Sequence, residues 1–333
     1  MTLYGVGFPP PDRLEGLGPI AHHPVVCLGA QNVPLFARVA VPDAPRGTIV
    51  ATYGITGSLE DQRSLQLFCL HALARNYAVV AFDWRAHGET ARLSPTLTSD
   101  GIFEGEDFVL LAARSLQLGC RPPFYFFGYS LGGQLALWGI EAGQNLSPTA
   151  REWGLQAGDI AGGAVVCPSL DSDRSLIYLE NHPTGKLIER RITKRLREIA
   201  LELHSMYPDR FDLKTVDRIE SIRGFDRELV IESLGFKSAK EYYDATSGLK
   251  VLPELKLPTL VIYAQDDPFF DPSIIPELKE ICDRNSHLDL LLTRHGGHVG
   301  YLSSRSCQQA YGDRDRYWAW HRVLDWISAR AIA

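Results

Sequence analysis

A chain of 333 residues, 45% hydrophobic and 22% charged, holds enough apolar material for a large core, which excludes disorder. Its formal charge of −6 leaves no global positive field for a phosphate backbone, so no nucleic-acid partner is expected. No apolar run reaches about 18 residues, so no integral membrane segment is expected.

The N-terminal MTLYGVGFPPPDRLEG lacks a basic region followed by an apolar stretch, and no signal peptide is read there. Cys27, Cys69, Cys120, Cys167, Cys282 and Cys307 show no paired short spacing, as in neither a disulfide framework nor a zinc site. They read as reduced, mostly buried thiols in a cytoplasmic protein.

Residues 1–24, with Pro9, Pro10 and Pro11, are expected to form an irregular arm. Val25–Leu28 and Val33–Val41 then read as a strand pair around a polar turn. The β-branched run 47–53 is a strand ending in Gly54-Ile55-Thr56-Gly57. A helix is expected from about Asp61 to Arg75, a strand over 78–83, and a helix over 104–118. Phe124–Phe127 is a short apolar strand and Leu131–Ile140 a helix. Strands are expected at 164–167, 259–263 and 288–292, and a helix from about Arg314 to Ala331, with Tyr317, Trp320, Leu324 and Ile327 at helical spacing.

Continuous apolar strands alternating with helices predict an α/β fold: a mostly parallel, twisted sheet with helices on both faces. About 90 residues separate the strands ending at Cys167 and Tyr263, far more than a simple crossover needs. This stretch is charged, and Ile188, Ile192, Ile199 and Leu203 mark an amphipathic stripe. It reads as an inserted helical lid over 171–250, flanked by a core of 25–170 and 251–333. Lys186, Arg190, Arg191, Lys194, Arg195 and Arg197 make its first helix basic. That pattern suits a solvated face, an anionic substrate or peripheral contact with acidic lipid headgroups.

The chemistry centres on Gly128-Tyr129-Ser130-Leu131-Gly132. G-x-S-x-G between a strand and a helix sets Ser on a sharp turn with its Oγ exposed, and larger side chains at either glycine would collide across the turn. A Ser nucleophile needs a base held by an acid. Asp266 and Asp267 follow the strand ending at Tyr263, and His295 and His298 follow the strand ending at Leu292, in the order Ser, acid, His. Asp267 and His298 are preferred over their neighbours. The remaining carboxylate would brace the loop and the remaining His would be structural. No third ligand accompanies the two His, so no metal is expected. Two convergent backbone N–H groups are needed for an oxyanion, and Leu131 and Ile55 are placed to supply them. Arg85 and His87, in Asp83-Trp84-Arg85-Ala86-His87-Gly88, could touch substrate, although a structural role is favoured.

These residues resemble the α/β-hydrolase superfamily, specifically its YheT-like branch, from about Val33 onward. Gly128–Gly133 resembles the nucleophile elbow, which implies Ser130 as nucleophile. The segment 235–247 resembles that branch's lid end, 258–269 its acid loop, implying Asp267, and 295–300 its His loop, implying His298. Relatives usually carry His-Gly where this chain has Tyr53-Gly54. The resemblance implies an esterase-like serine hydrolase acting through an acyl-enzyme on a small-molecule, possibly lipid-like ester, with no cofactor. A thioesterase, phospholipase or amidase would use the same triad, and a non-catalytic binding protein on the same fold is the alternative of another class. Dehalogenases and epoxide hydrolases place Asp where Ser130 stands.

Overall fold

The structure is a computed structural model describing residues 22–330. The expected arm lies outside the described residues as far as residue 21.

Strand β1 (His23–Leu28) turns through Ala30–Asn32 into β2 (Pro34–Ala40) as the expected antiparallel pair. β3 (Thr48–Ala51), β4 (Ala78–Phe82), β5 (Phe124–Tyr129), β6 (Ile160–Val166), β7 (Thr259–Ala264) and β8 (Leu288–Thr293) complete an eight-stranded sheet. Its order is β1-β2-β4-β3-β5-β6-β7-β8, parallel from β4 onward. Every residue of β3, β4, β5 and β7 is buried. Their unbroken apolar runs follow from having both faces covered.

The covering helices in the first half are α1 (Arg63–Leu73), α2 (Gly88–Leu93), α3 (Glu104–Ser115), α4 (Leu131–Gly143) and α5 (Pro148–Glu152). The two-residue period of β5 shows how both layers are addressed. Phe127 stacks on Phe68 of α1 at 3.7 Å, while its neighbour Phe126 points the other way, 5.2 Å from Phe108 of α3.

Between β6 and β7 lie α6 (Ser172–Asn181), α7 (Pro183–Met206), α8 (Leu213–Asp217), α9 (Ile222–Phe225), α10 (Ala239–Thr246) and α11 (Gly248–Val251). These helices bury apolar clusters of their own, one around Leu176, Leu196, Phe225 and Tyr242 and one around Ile199, Leu203 and Phe211. In α7 the expected stripe faces inward, with Ile199 and Leu203 buried and Ile188 and Ile192 half-buried. Leu249 N–H (3.1 Å) and Ser247 Oγ (2.8 Å) both donate to the Leu170 carbonyl, so the insertion leaves and rejoins the sheet layer at one point.

The chain closes with α12 (Ile274–Arg284), α13 (Arg305–Tyr311) and α14 (Trp318–Arg330). The last helix starts four residues later than its periodicity predicts. Asp315 accepts from Tyr317 N–H (3.0 Å) and from His321 Nε2 (3.0 Å), and Tyr317 bridges Leu302, which holds this segment extended. α2, α5, α12 and α13 have no counterpart in the sequence reading. α5 and α13 are too short for a period to show, α2 opens on glycine, and α12 contains Pro276.

Candidate active site

Ser130 sits between the end of β5 and the first residue of α4, at φ 56° and ψ −131°. A side chain held at such a positive φ costs on the order of 1–3 kcal/mol, which the surrounding structure must offset. The turn is tight enough to require glycine. A Cβ at Gly128 would lie 2.0 Å from the Gly132 carbonyl oxygen, and one at Gly132 would lie 2.2 Å from that of Tyr53. Ser130 N–H donates to the Val166 carbonyl and Ser169 N–H donates to the Ser130 carbonyl, at 3.0 and 3.1 Å. The elbow is therefore clamped against the end of β6.

The loops after β7 and β8 bring the two distant groups to it. His298 Nε2 is 2.8 Å from Ser130 Oγ, and His298 Nδ1 is 2.8 Å from Asp267 Oδ2. A carboxylate only accepts, so Nδ1 carries the ring proton and Nε2 is left to accept from the Ser hydroxyl. Asp267 Oδ1 accepts from Phe269 N–H at 2.9 Å, and the Phe269 ring stacks on His298 at 4.0 Å. All three side chains are buried. The neighbouring pair does something else. Asp266 Oδ1 accepts from Gly296 and Gly297 N–H, both at 2.9 Å, while Oδ2 faces His295 Nδ1 at 3.3 Å. Burial raises the Asp266 carboxyl, but these bonds together hold it below its usual range. The pair braces the acid loop to the His loop at the surface.

Ile55 and Leu131 both line the cavity at Ser130. The loop carrying Ile55 is tied down at both ends by one carboxylate. Tyr53 Oη donates to Asp83 Oδ1 at 2.6 Å, Leu59 N–H donates to the same oxygen at 2.8 Å, and Glu89 N–H donates to Oδ2 at 3.0 Å. Burial pushes the Asp83 carboxyl up to about 6. Gly54 lets this loop press on the elbow, since a Cβ there would lie 2.8 Å from Ser130 Cβ. Tyr53, the departure from the relatives' His-Gly, thus has a definite task. Tyr53→Phe removes a buried hydrogen bond to a carboxyl, about 1.5–3 kcal/mol. The expected result is a lower Tm and a roughly tenfold fall in kcat with KM little changed, since 1.4 kcal/mol is a factor of ten. Unchanged kcat in steady-state assays would dissociate Tyr53 from the loop.

The cavity above Ser130 is walled on the sheet side by Trp84, His87, Asp100 and Leu131, and on the other by Leu176, Leu179, Ile192, Leu196, Ile222 and Phe225 from α6, α7 and α9. Its volume is about 90 Å³. Arg85 does not reach it. Its guanidinium is fully buried, bonded to both oxygens of Asp107 at 2.8 and 3.0 Å and to the Ala30 carbonyl at 3.0 Å. His87 is a wall residue stacked on Trp84 at 3.6 Å. Its Nδ1 lies 3.0 Å from the Arg85 carbonyl, and burial pushes its pKa down to about 4, so the ring is neutral near pH 7.

Asp100 and Asp226, 126 positions apart, meet at this cavity and carry no motif that sequence reasoning could have used. Burial raises both carboxyls, Asp226 to about 6 and Asp100 well above the usual range, where the charges of Asp226 and Glu104 add to it. Tyr243 Oη donates to Asp226 Oδ2 at 2.6 Å. Both groups take up protons on folding. Stability therefore falls as pH rises from about 4, where unfolded carboxylates ionise, through about 6. Asp226→Asn keeps an acceptor for Tyr243 and removes the charge, so its Tm at pH 7 should exceed the parent's by a few degrees, with the difference vanishing near pH 4. Equal Tm differences at both pH values in thermal scans would rule this out.

Among the described residues, two clusters have metal-ligand composition. Cys167, Asp267 and His298 lie close together, but both ring nitrogens of His298 are engaged by Ser130 and Asp267. In the other, Asp315 sits 3.2 Å from His71 Nε2 and 3.0 Å from His321 Nε2. Arg75 lies 3.0 Å from His321 Nδ1 and can only donate, which places the ring proton on Nε2. A metal on Nε2 would force an N–H against the guanidinium, so this cluster fits a hydrogen-bonded tie between α1 and α14 through Asp315 instead. Burial opposes the charge on Asp315, yet hydrogen bonds from His321 and His71 hold its carboxyl far below the usual range.

A serine on a strained strand-to-helix turn, with Asp and His on the loops after the last two parallel strands, defines a class. The alpha/beta hydrolase family model matches residues 57–309, and the chain belongs to that family. A Synechocystis sp. protein named "Putative esterase slr0264" is 49% identical over 92% of this chain and 85% of its own length. Mouse "Phospholipase ABHD3" is 27% identical over 82% of this chain and "Putative esterase YheT" of Escherichia coli is 26% identical over 60%. The chain spans 63% and 54% of the lengths of those two. The solved Pyrococcus furiosus esterase Pf2001 shares the fold, with a TM-score of 0.56 at 18% identity over 97% of this chain and 94% of its own. No helix among the described residues is long and apolar enough to cross a membrane.

Proposed function

We propose that this protein is a serine hydrolase of carboxylic esters in which Ser130, His298 and Asp267 act as the triad. One observation carries the reading: the continuous relay of 2.8 Å from Ser130 Oγ to His298 Nε2 and 2.8 Å from His298 Nδ1 to Asp267 Oδ2, opening on an apolar cavity. The esterase and phospholipase names of the relatives at 49% and 27% identity support an ester substrate.

In this mechanism Ser130 Oγ attacks the acyl carbonyl as His298 Nε2 takes its proton. Asp267 keeps the imidazole in the required tautomer and stabilises the imidazolium. Backbone N–H groups of Leu131 and Ile55 hold the oxyanion, each donor being worth about 2.7–4 kcal/mol in such sites. His298 returns the proton to the leaving alcohol, and water then repeats the sequence on the acyl-enzyme. The segment 171–250 serves as the lid, because its inner side chains form the far wall of the cavity. Leu176, Leu179, Ile192, Leu196, Ile222 and Phe225 make most of that wall apolar, with Ser172, Ser175 and Asp226 as polar points in it, which favours an acyl chain or another lipid-like group as the part of the ester it covers.

The test is a panel of esters, thioesters and anilides of matched acyl length, run with fluorophosphonate labelling and peptide mapping of the label. Turnover fastest on esters, with the label on Ser130, is the expected result. Faster thioester or anilide turnover would reassign the reaction to a thioesterase or amidase. A protein that neither labels nor turns over any member would be a binding protein on this fold.

A further inference from the structure

The outward side of α7 is as organised as its inward side. At 100° per residue, Ile188, Ile192, Leu196, Ile199 and Leu203 share one arc of the helix, and Lys186, Leu187, Arg190, Arg191 and Lys194 fall within about 140° on the opposite side. All five outward residues are exposed, Leu187 by 66%, and Ile177 of the adjoining α6 is exposed by 47%. Among the described residues Lys186, Arg190 and Arg191 have no ion pair. Lys194 reaches Glu198 only at 3.9 Å. The one acid inside the stretch, Glu189, is half-buried. These exposed cations gather around an exposed leucine on a chain of net charge −6, which makes this face locally positive.

We propose that this face of α7 docks on an anionic phospholipid bilayer. The cations match the headgroup charge, and Leu187 and Ile177 are the apolar groups that reach the interface. Ile192 and Leu196, on the opposite side of the same helix, line the cavity over Ser130. Docking would therefore set the cavity wall one helix diameter from the lipid, within reach of an amphiphile leaving the bilayer. The proposal does not depend on ester hydrolysis, because binding is measured without turnover.

The experiment is sedimentation with vesicles of phosphatidylcholine alone and with about 30% phosphatidylglycerol, at about 0.05 M and 0.5 M NaCl. Binding is expected to the anionic vesicles at low salt, to be largely lost at high salt, and to be absent on phosphatidylcholine alone. Each Lys or Arg near such a surface contributes roughly a fivefold gain in partitioning, so neutralising three should cost on the order of 100-fold. The triple variant Lys186→Gln, Arg190→Gln, Arg191→Gln should show that loss, with circular dichroism and turnover of a short water-soluble ester unchanged. Leu187→Ser alone should weaken binding less. Failure of the parent protein to bind anionic vesicles, or a triple variant that binds them equally, overturns the proposal. So does retention on heparin without vesicle binding, which would assign the face to a soluble polyanion.

Discussion

Ser130→Ala is expected to lower ester turnover by about 10⁴–10⁶-fold and to abolish fluorophosphonate labelling, while the protein remains folded. The loss is expected to be large because, in the proposed triad, the other groups act through this oxygen. His298 Nε2 has no proton to take without it, and Asp267 then orients an idle ring. Alanine suffers about the same backbone strain as serine at φ 56°, so Tm should move little. Combining the change with His298→Ala should add almost nothing, since members of a triad are strongly non-additive. Labelling that persists on another serine would remove Ser130 from the mechanism.

Asp267→Asn should cost about 10⁴-fold in kcat, and Asp266→Asn less than about tenfold. The two residues are adjacent and chemically identical, so the contrast tests placement alone. An amide at 267 can donate to His298 Nδ1, which moves the ring proton to Nε2 and leaves Ser130 without a base. An amide at 266 still offers an oxygen to Gly296 and Gly297 N–H and loses only its charge toward the exposed His295. Comparable losses at both positions in steady-state kinetics would mean that the acid loop acts through its overall conformation rather than through one carboxylate.

What could be read along the chain was whatever depends on near neighbours. The buried runs of β3, β4, β5 and β7, the helices α1, α3 and α4, and the turn requiring Gly128 and Gly132 around Ser130 are set by interactions a few residues apart. Ambiguity entered where two residues of one type stand close together. Asp266 and Asp267 diverge as the chain leaves β7, and which of them faces the centre follows from how the loops after β7 and β8 meet. The start of α14 departs from its periodicity for a related reason: Asp315 is held by His71 and His321, and His71 is 244 positions away.

Composition determined a large core and an average charge of −6, and the alternation of apolar strands with helices determined a mostly parallel sheet. The basic residues of α7 and their place opposite its apolar stripe follow from helical periodicity, whereas only the tertiary structure brought Asp100 to Asp226 at a shared cavity. Local propensity and sterics are encoded over a turn or a strand. The separation of Ser130 from His298 by 168 positions and 2.8 Å is decided by layer packing, which no short stretch of sequence contains.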